Sequence, residues 1–125
     1  MSWKYIQSTG QMFNPDGLIM STGYSGAGAG KNNPAMQNVQ DVGPCPVGFY
    51  DMGTAVDTET HGPCVIPLTP RPENEMYGRS GFLCHGDSVN APGTASKGCI
   101  IQAAFVRHAM RDSQDRSLQV VSEPT

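Results

Sequence analysis

Glycine and proline punctuate this chain so densely that long regular helices have little room. It carries 15 glycines and 10 prolines in 125 residues, concentrated in the first two thirds. That spacing predicts many short strands joined by turns rather than a helical bundle. The length suits one domain, expected over residues 1–125, with a single modest core. At 38% apolar and 15% charged residues the balance is that of a globular protein, not a disordered one. A formal charge of −3, with eight Lys and Arg that form no run, excludes a nucleic-acid binder.

The opening residues, Met1 to Gln7, contain no apolar stretch of the signal-peptide kind. No segment approaches the roughly 20 apolar residues that span a bilayer, so no membrane insertion is expected. The expectation is synthesis in the cytoplasm, with delivery by a route other than general secretion if the substrate lies outside.

Short apolar segments at 3–7 and 18–20 flank Asn14-Pro15-Asp16-Gly17, a turn signal, which predicts an opening β-hairpin. The glycine-rich run from Tyr24 to Pro34 lacks the Gly-Lys-Ser/Thr ending of a phosphate loop. It reads instead as a mobile surface loop near a cleft. Strands are expected from Gly48 to about Met52 and from Cys64 to Leu68, the latter at an edge or irregular because of its prolines. Gly81 to Cys84 reads as a buried strand that delivers His85 to a cleft. Ala103, Val106 and Met110 recur at helical spacing within 102–111, and Ser117 to Val121 reads as a closing strand.

Chemistry concentrates in Tyr77 to Ser88 and Ala95 to Ile100. A histidine at a strand end and a cysteine after a Ser-x-Gly turn are what a thiol nucleophile requires: the thiolate reacts, and a nearby imidazole takes its proton. Gly98 permits a tight turn that exposes the sulfur. It also leaves the main-chain N–H groups around Gly98 and Cys99 free for a developing oxyanion. A His and a Cys so spaced also occur by chance, and buried cysteine is usually inert packing; on residues alone both readings stand. A zinc site from His61, Cys64, Cys84 and His85 is disfavoured. Adjacent residues on a strand point to opposite faces, so Cys84 and His85 do not converge on one ion.

Thirteen residues separate His85-Gly86 at His85 from Cys99 within Ser96-Lys97-Gly98-Cys99-Ile100. This pattern resembles the signature of the YkuD-like L,D-transpeptidase catalytic domain. Tyr24-Ser25-Gly26, Lys31 to Gln37, Gly43-Pro44-x-Pro46-x-Gly48-x-Tyr50 and Gly81-Phe82-Leu83-x-His85-Gly86 resemble a narrower branch, small toxins of that fold delivered by the type VI secretion system. The resemblance is strongest over 20–121. It implies a mainly β, small sandwich or barrel-like fold with one α-helix after the catalytic cysteine.

By the resemblance, Cys99 is the nucleophile and His85 the general base, with Ser96 and Gly98 shaping the catalytic turn. Gly86 or Asp87 orients the imidazole, by a main-chain carbonyl or a carboxylate; the carbonyl is favoured. Many members carry a second histidine where this chain has Lys97, a cation suited to lowering a thiol pKa or meeting a substrate carboxylate. Arg79, Arg107 and Arg111 are candidate anchors for stem-peptide carboxylates. Arg107 and Arg111 lie one helical turn apart and read as a solvated helix face, so Arg79 is favoured. Tyr77 reads as a cleft wall, and Tyr24 and Asn33 belong to a matching loop that serves substrate or turn. Cys45, Cys64 and Cys84 read as small hydrophobes, with Cys45–Cys64 the one disulfide worth considering. The implied activity is L,D-carboxypeptidase or D-amino-acid exchange on tetrapeptide stems of peptidoglycan, with no cofactor. The implied partners are a cognate immunity protein and the secretion machinery. Alternatives are a phage-encoded lysis enzyme of the same fold, or a non-catalytic wall- or partner-binding module.

Overall fold

The strands of this chain carry large apolar side chains at alternate positions, as a sheet with one dry face demands. The computed structural model describes residues 1–124. Over them run β1 (Trp3–Ile6), β2 (Gln11–Phe13), β3 (Ile19–Thr22), β4 (Tyr24–Ser25), β5 (Gly48–Met52), β6 (Val56–Thr58), β7 (Gly62–Pro70), β8 (Leu83–His85), β9 (Ile100–Ile101) and β10 (Ser117–Val121). One helix, α1 (Ala104–Asp112), follows Cys99, and two 3-10 turns lie at Gly28–Gly30 and Pro34–Met36. The mainly β, barrel-like fold with one helix expected from the sequence is the fold observed.

The strands form one path in the order β3-β2-β1-β10-β5-β7-β8-β9-β4, with β6 branching onto β7. The two ends of that path are neighbours in sequence. β3 pairs with β2 and β4 with β9, and Gly23 alone separates them, so one stretch of backbone nearly closes the barrel. No other residue fits there. A Cβ on Gly23 would lie 1.6 Å from the Ile101 carbonyl oxygen, well inside contact distance. The Gly23 N–H in turn donates to the Gly10 carbonyl at 2.7 Å.

Inward positions line up across the path. Trp3 and Tyr5 of β1 pair with Leu118 and Val120 of β10, Leu118 with Tyr50, Met52 with Leu68, and Ile66 with Cys84, which pairs with Ile100. These side chains form the core, capped by Val106 and Met110 of α1, which packs on β7. Burying each large one is worth about 1.5–3 kcal/mol.

Three local expectations change. The opening unit is a three-strand meander, because Asn14 to Gly17 joins β2 to β3 and not β1 to β3; Asn14 Oδ1 accepts from the Asp16 and Leu18 N–H groups. β7 is irregular, with Cys64 at φ 53°, but it is not an edge. It changes partner around Pro67, from β8 to β5, and pairs with both. The glycine-rich run is a packed scaffold: Gly30 is buried, and Asn33 caps the second 3-10 turn by accepting from the Ala35 N–H.

Candidate active site

Cys99 stands at the mouth of β9 on a turn held from below by two serines. Ser96 is buried, and its hydroxyl donates to the Cys99 carbonyl at 2.6 Å while accepting from the Gly98 and Gly26 N–H groups. Ser25 donates to the Gly98 carbonyl and accepts from the Cys45 N–H. Gly98 sits at φ 134°, where side chains are disfavoured. A Cβ there would stand 2.5 Å from Arg79 Nη2. The Gly98 N–H is held by Ser96, so the expected oxyanion donor reduces to the N–H of Cys99, which donates to no protein group among the described residues.

Arg79, the favoured substrate anchor from the sequence, lines the cleft beside Cys99 but is committed to main-chain carbonyls. It is 4% exposed, and its two terminal nitrogens donate to the carbonyls of Gln37, Pro44, Gly43 and Lys97. Its guanidinium lies over the Phe82 ring, 5.2 Å from the centroid. This cation ties three loops together behind the nucleophile.

His85 ends β8, which runs parallel to β9 with Cys84 opposite Ile100 and His85 opposite Ile101. Cys84 and Ile100 face the core; Cys99 immediately precedes β9, and it and His85 line different cavities. His85 Nδ1 donates to the Gly86 carbonyl at 2.8 Å, which leaves Nε2 with its lone pair exposed to the cleft. Asp87 does not orient the ring. It accepts from the Tyr24 hydroxyl at 2.6 Å and from the Ser88 and Gly93 N–H groups. Tyr24 also accepts from the Ala95 N–H, so the Tyr24–Asp87 pair braces the loop between base and nucleophile.

Electrostatics keep both reacting groups neutral. Burial pushes the Cys99 thiol above its ordinary value, against the pull of the Leu83 N–H and the Arg79 charge. Burial also lowers His85, helped by His61 and Arg107 and opposed by the Gly86 carbonyl. Both shifts favour the neutral thiol and the neutral imidazole over a preformed ion pair. No hydrogen bond joins Cys99 Sγ to His85 among the described residues. The sulfur opens on a cleft of about 120 Å³ beside Lys97 and Asp41. The imidazole opens on a larger one of about 650 Å³, beside Thr60, His61 and Arg107.

The remaining expected residues divide. Tyr24 and Asp87 line a cavity of about 390 Å³ next to Gly86, and the exposed Lys97 lines the sulfur's cleft. Tyr77 is 43% exposed, and its N–H meets Glu75; it walls none of these three cavities. Asn33 holds its own turn, with Nδ2 donating to the Ala29 carbonyl. All four cysteines are free thiols, Cys45, Cys64 and Cys84 being buried, and burial lifts Cys45 to about 12. Among the described residues no group of three or more His, Cys, Asp or Glu is arranged around one point for a metal; Cys84 faces the core, away from His85.

Two residues of the large cavity, His61 and Arg107, have surroundings that the sequence reading did not foresee. His61, at the tip of the β6–β7 hairpin, stacks against His85 with ring centroids 4.7 Å apart. Arg107 is 6% exposed, where a solvated helix face had been expected. The one sequence signal for either was the presence of polar residues near the motif in space, which spacing does not reveal.

The family model described as the Tlde1 domain matches residues 20–123. No curated protein and no solved structure matches the chain.

Proposed function

The chain belongs to the Tlde1 domain family of type VI secretion effectors, and from that membership and the geometry around Cys99 we propose a cysteine acyltransferase that acts on peptidoglycan tetrapeptide stems. The observation that carries the reading is the turn at Cys99. A partly exposed thiol stands over a turn fixed by Ser96, Ser25 and Arg79, immediately before the strand that pairs with β8. Such a turn gives a nucleophile a fixed aim, which packing alone does not require. The motifs that resemble YkuD-like L,D-transpeptidases support the same substrate class, and the pairing of β1 with β10 supports reading the chain as one domain.

In this scheme Cys99 Sγ attacks the carbonyl of the third stem residue, and its proton passes to His85 Nε2. The Cys99 N–H receives the oxyanion. When the C–N bond breaks, His85 returns the proton to the leaving amine of D-alanine, and a thioester remains on Cys99. Water or the amine of a D-amino acid then attacks the thioester, giving carboxypeptidase or exchange activity. Either outcome removes donors for cross-linking from a rival's wall. A cognate immunity protein that covers the Cys99 cleft would protect the producer.

Incubation of the protein with tetrapeptide muropeptides, followed by mass spectrometry, tests this. The expected product is the tripeptide or the exchanged stem, absent with Cys99→Ala and reduced about 10²–10⁴-fold with His85→Ala. Unchanged muropeptides from the folded native protein would refute the proposal.

A further inference from the structure

The cavity of about 650 Å³ beside His85 contains a cation with no counter-ion among the described residues. Arg107 reaches from α1 into the space beside His85, and Nε donates to the Gln102 carbonyl at 3.0 Å. Nη1 donates to the carbonyls of Pro63 at 2.6 Å and Cys64 at 3.3 Å. Nη2 donates to nothing among the described residues. The ion pairs found there involve Arg71, Arg111 and the N-terminus, not Arg107. Asp87, the one acid lining this cavity, is committed to Tyr24, Ser88 and Gly93.

A charge buried to this degree is costly unless something pairs with it. Nη2 also has a fixed position. It packs against Gly86, where a Cβ would lie 2.8 Å away, and Arg107 lines both the 650 Å³ and the 390 Å³ cavities that meet at Gly86 and Asp87. A rigid guanidinium with open N–H groups at the junction of two cavities is a receptor for a carboxylate.

We propose that Arg107 Nη2 receives the terminal α-carboxylate of the donor peptide, so that the protein cleaves only the amide bond before a single free C-terminal residue. The inference rests on the acyl-transfer reading above and names its specificity. The leaving nitrogen must lie near His85 to collect its proton, and the α-carboxylate carbon is two bonds from that nitrogen. Arg107 Nη2 abuts the residue that follows His85, on the leaving-group side. Arg107 holds the carboxylate and moves no proton; His85 does that. Arg79 has no open terminal nitrogen, since Nη1 and Nη2 each donate to two carbonyls.

Two measurements test this. In the first, native protein is given a tetrapeptide donor with a free C-terminus and the same donor as its C-terminal primary amide. Amidation removes the charge and leaves the scissile bond intact, so kcat/KM is expected to fall roughly tenfold to hundredfold, the loss of one charge-assisted contact. With Arg107→Lys or Arg107→Gln, checked by thermal unfolding, the acid-to-amide ratio should shrink toward one; a role confined to tying α1 to β7 would leave the ratio unchanged. Equal rates on acid and amide by the native protein overturn the inference while leaving acyl transfer standing. The second needs no turnover. Cys99→Ala protein is titrated with N-acetyl-D-alanine and with its amide while the Arg107 Nε–H resonance is followed. A shift with the acid and none with the amide supports the site; no discrimination between them overturns it, even if the native protein proves inactive.

Discussion

Ser96 and His85 show how single side chains set the chemistry of this site. The Ser96 hydroxyl joins three main-chain groups from two segments, so Ser96→Ala leaves two buried N–H donors without partners. The expected cost is at least about 2 kcal/mol of stability, measured by urea unfolding, together with loss of activity as the turn at Cys99 loosens. His85 titrates below its ordinary value of about 6.5. Between the folded and unfolded values the folded chain binds fewer protons than the unfolded one. Stability therefore rises with pH through that window and is lost as pH falls through the folded value. The acid limb of kcat/KM, which reports the free base, should have its midpoint below 6.5 by the same shift. At this scale the sequence singled out Cys99 and His85 as candidates, because Ser-x-Gly-Cys and His-Gly are local patterns. It did not show the surroundings of the arginines, because whether a guanidinium meets carbonyls or a cavity depends on loops more than 30 residues away in the chain, such as Gly43 and Pro44 for Arg79.

At the scale of elements, barrel closure depends on the β3–Gly23–β4 segment, and the cleft depends on the β6–β7 hairpin. Gly23→Ala would drive a methyl into the Ile101 carbonyl. The account predicts a loss of about 3 kcal/mol or more, or failure to fold, read from circular dichroism and thermal unfolding. The hairpin tip places His61 against His85, where its charge helps keep the base neutral. His61→Gln should therefore move the acid limb of the pH profile upward while leaving the fold intact. Strands β5 and β10 and helix α1 were legible because each has a clear period of two or 3.6, and β8 because it lies in a short apolar run. β2 was not: it is three residues long with one buried side chain, Met12. The scaffold role of the glycine-rich run was hidden for a related reason, since its order comes from partners such as Ser96 and Val42 far along the chain.

Across the whole molecule, Cys99 is the one cysteine that is not buried, on a nearly closed barrel. Cys45, Cys64 and Cys84 are buried while Cys99 is half-exposed, so a thiol reagent should modify one cysteine quickly in the native protein and all four after unfolding. Digestion should locate the fast site at Cys99. Many short strands were readable from glycine and proline density and a barrel-like class from the resemblance, whereas the closure and the two cavities beside His85 are properties of the assembled sheet that no local pattern carries. Among the described residues no helix is long and apolar enough to cross a membrane. The central claim, that Cys99 carries the acyl group, is tested most directly by intact-protein mass spectrometry during turnover of a tetrapeptide donor, with released D-alanine measured alongside. The account predicts an adduct equal to the donor less D-alanine, mapped to Cys99, with neither adduct nor D-alanine release from Cys99→Ala; undiminished release from Cys99→Ala would contradict it.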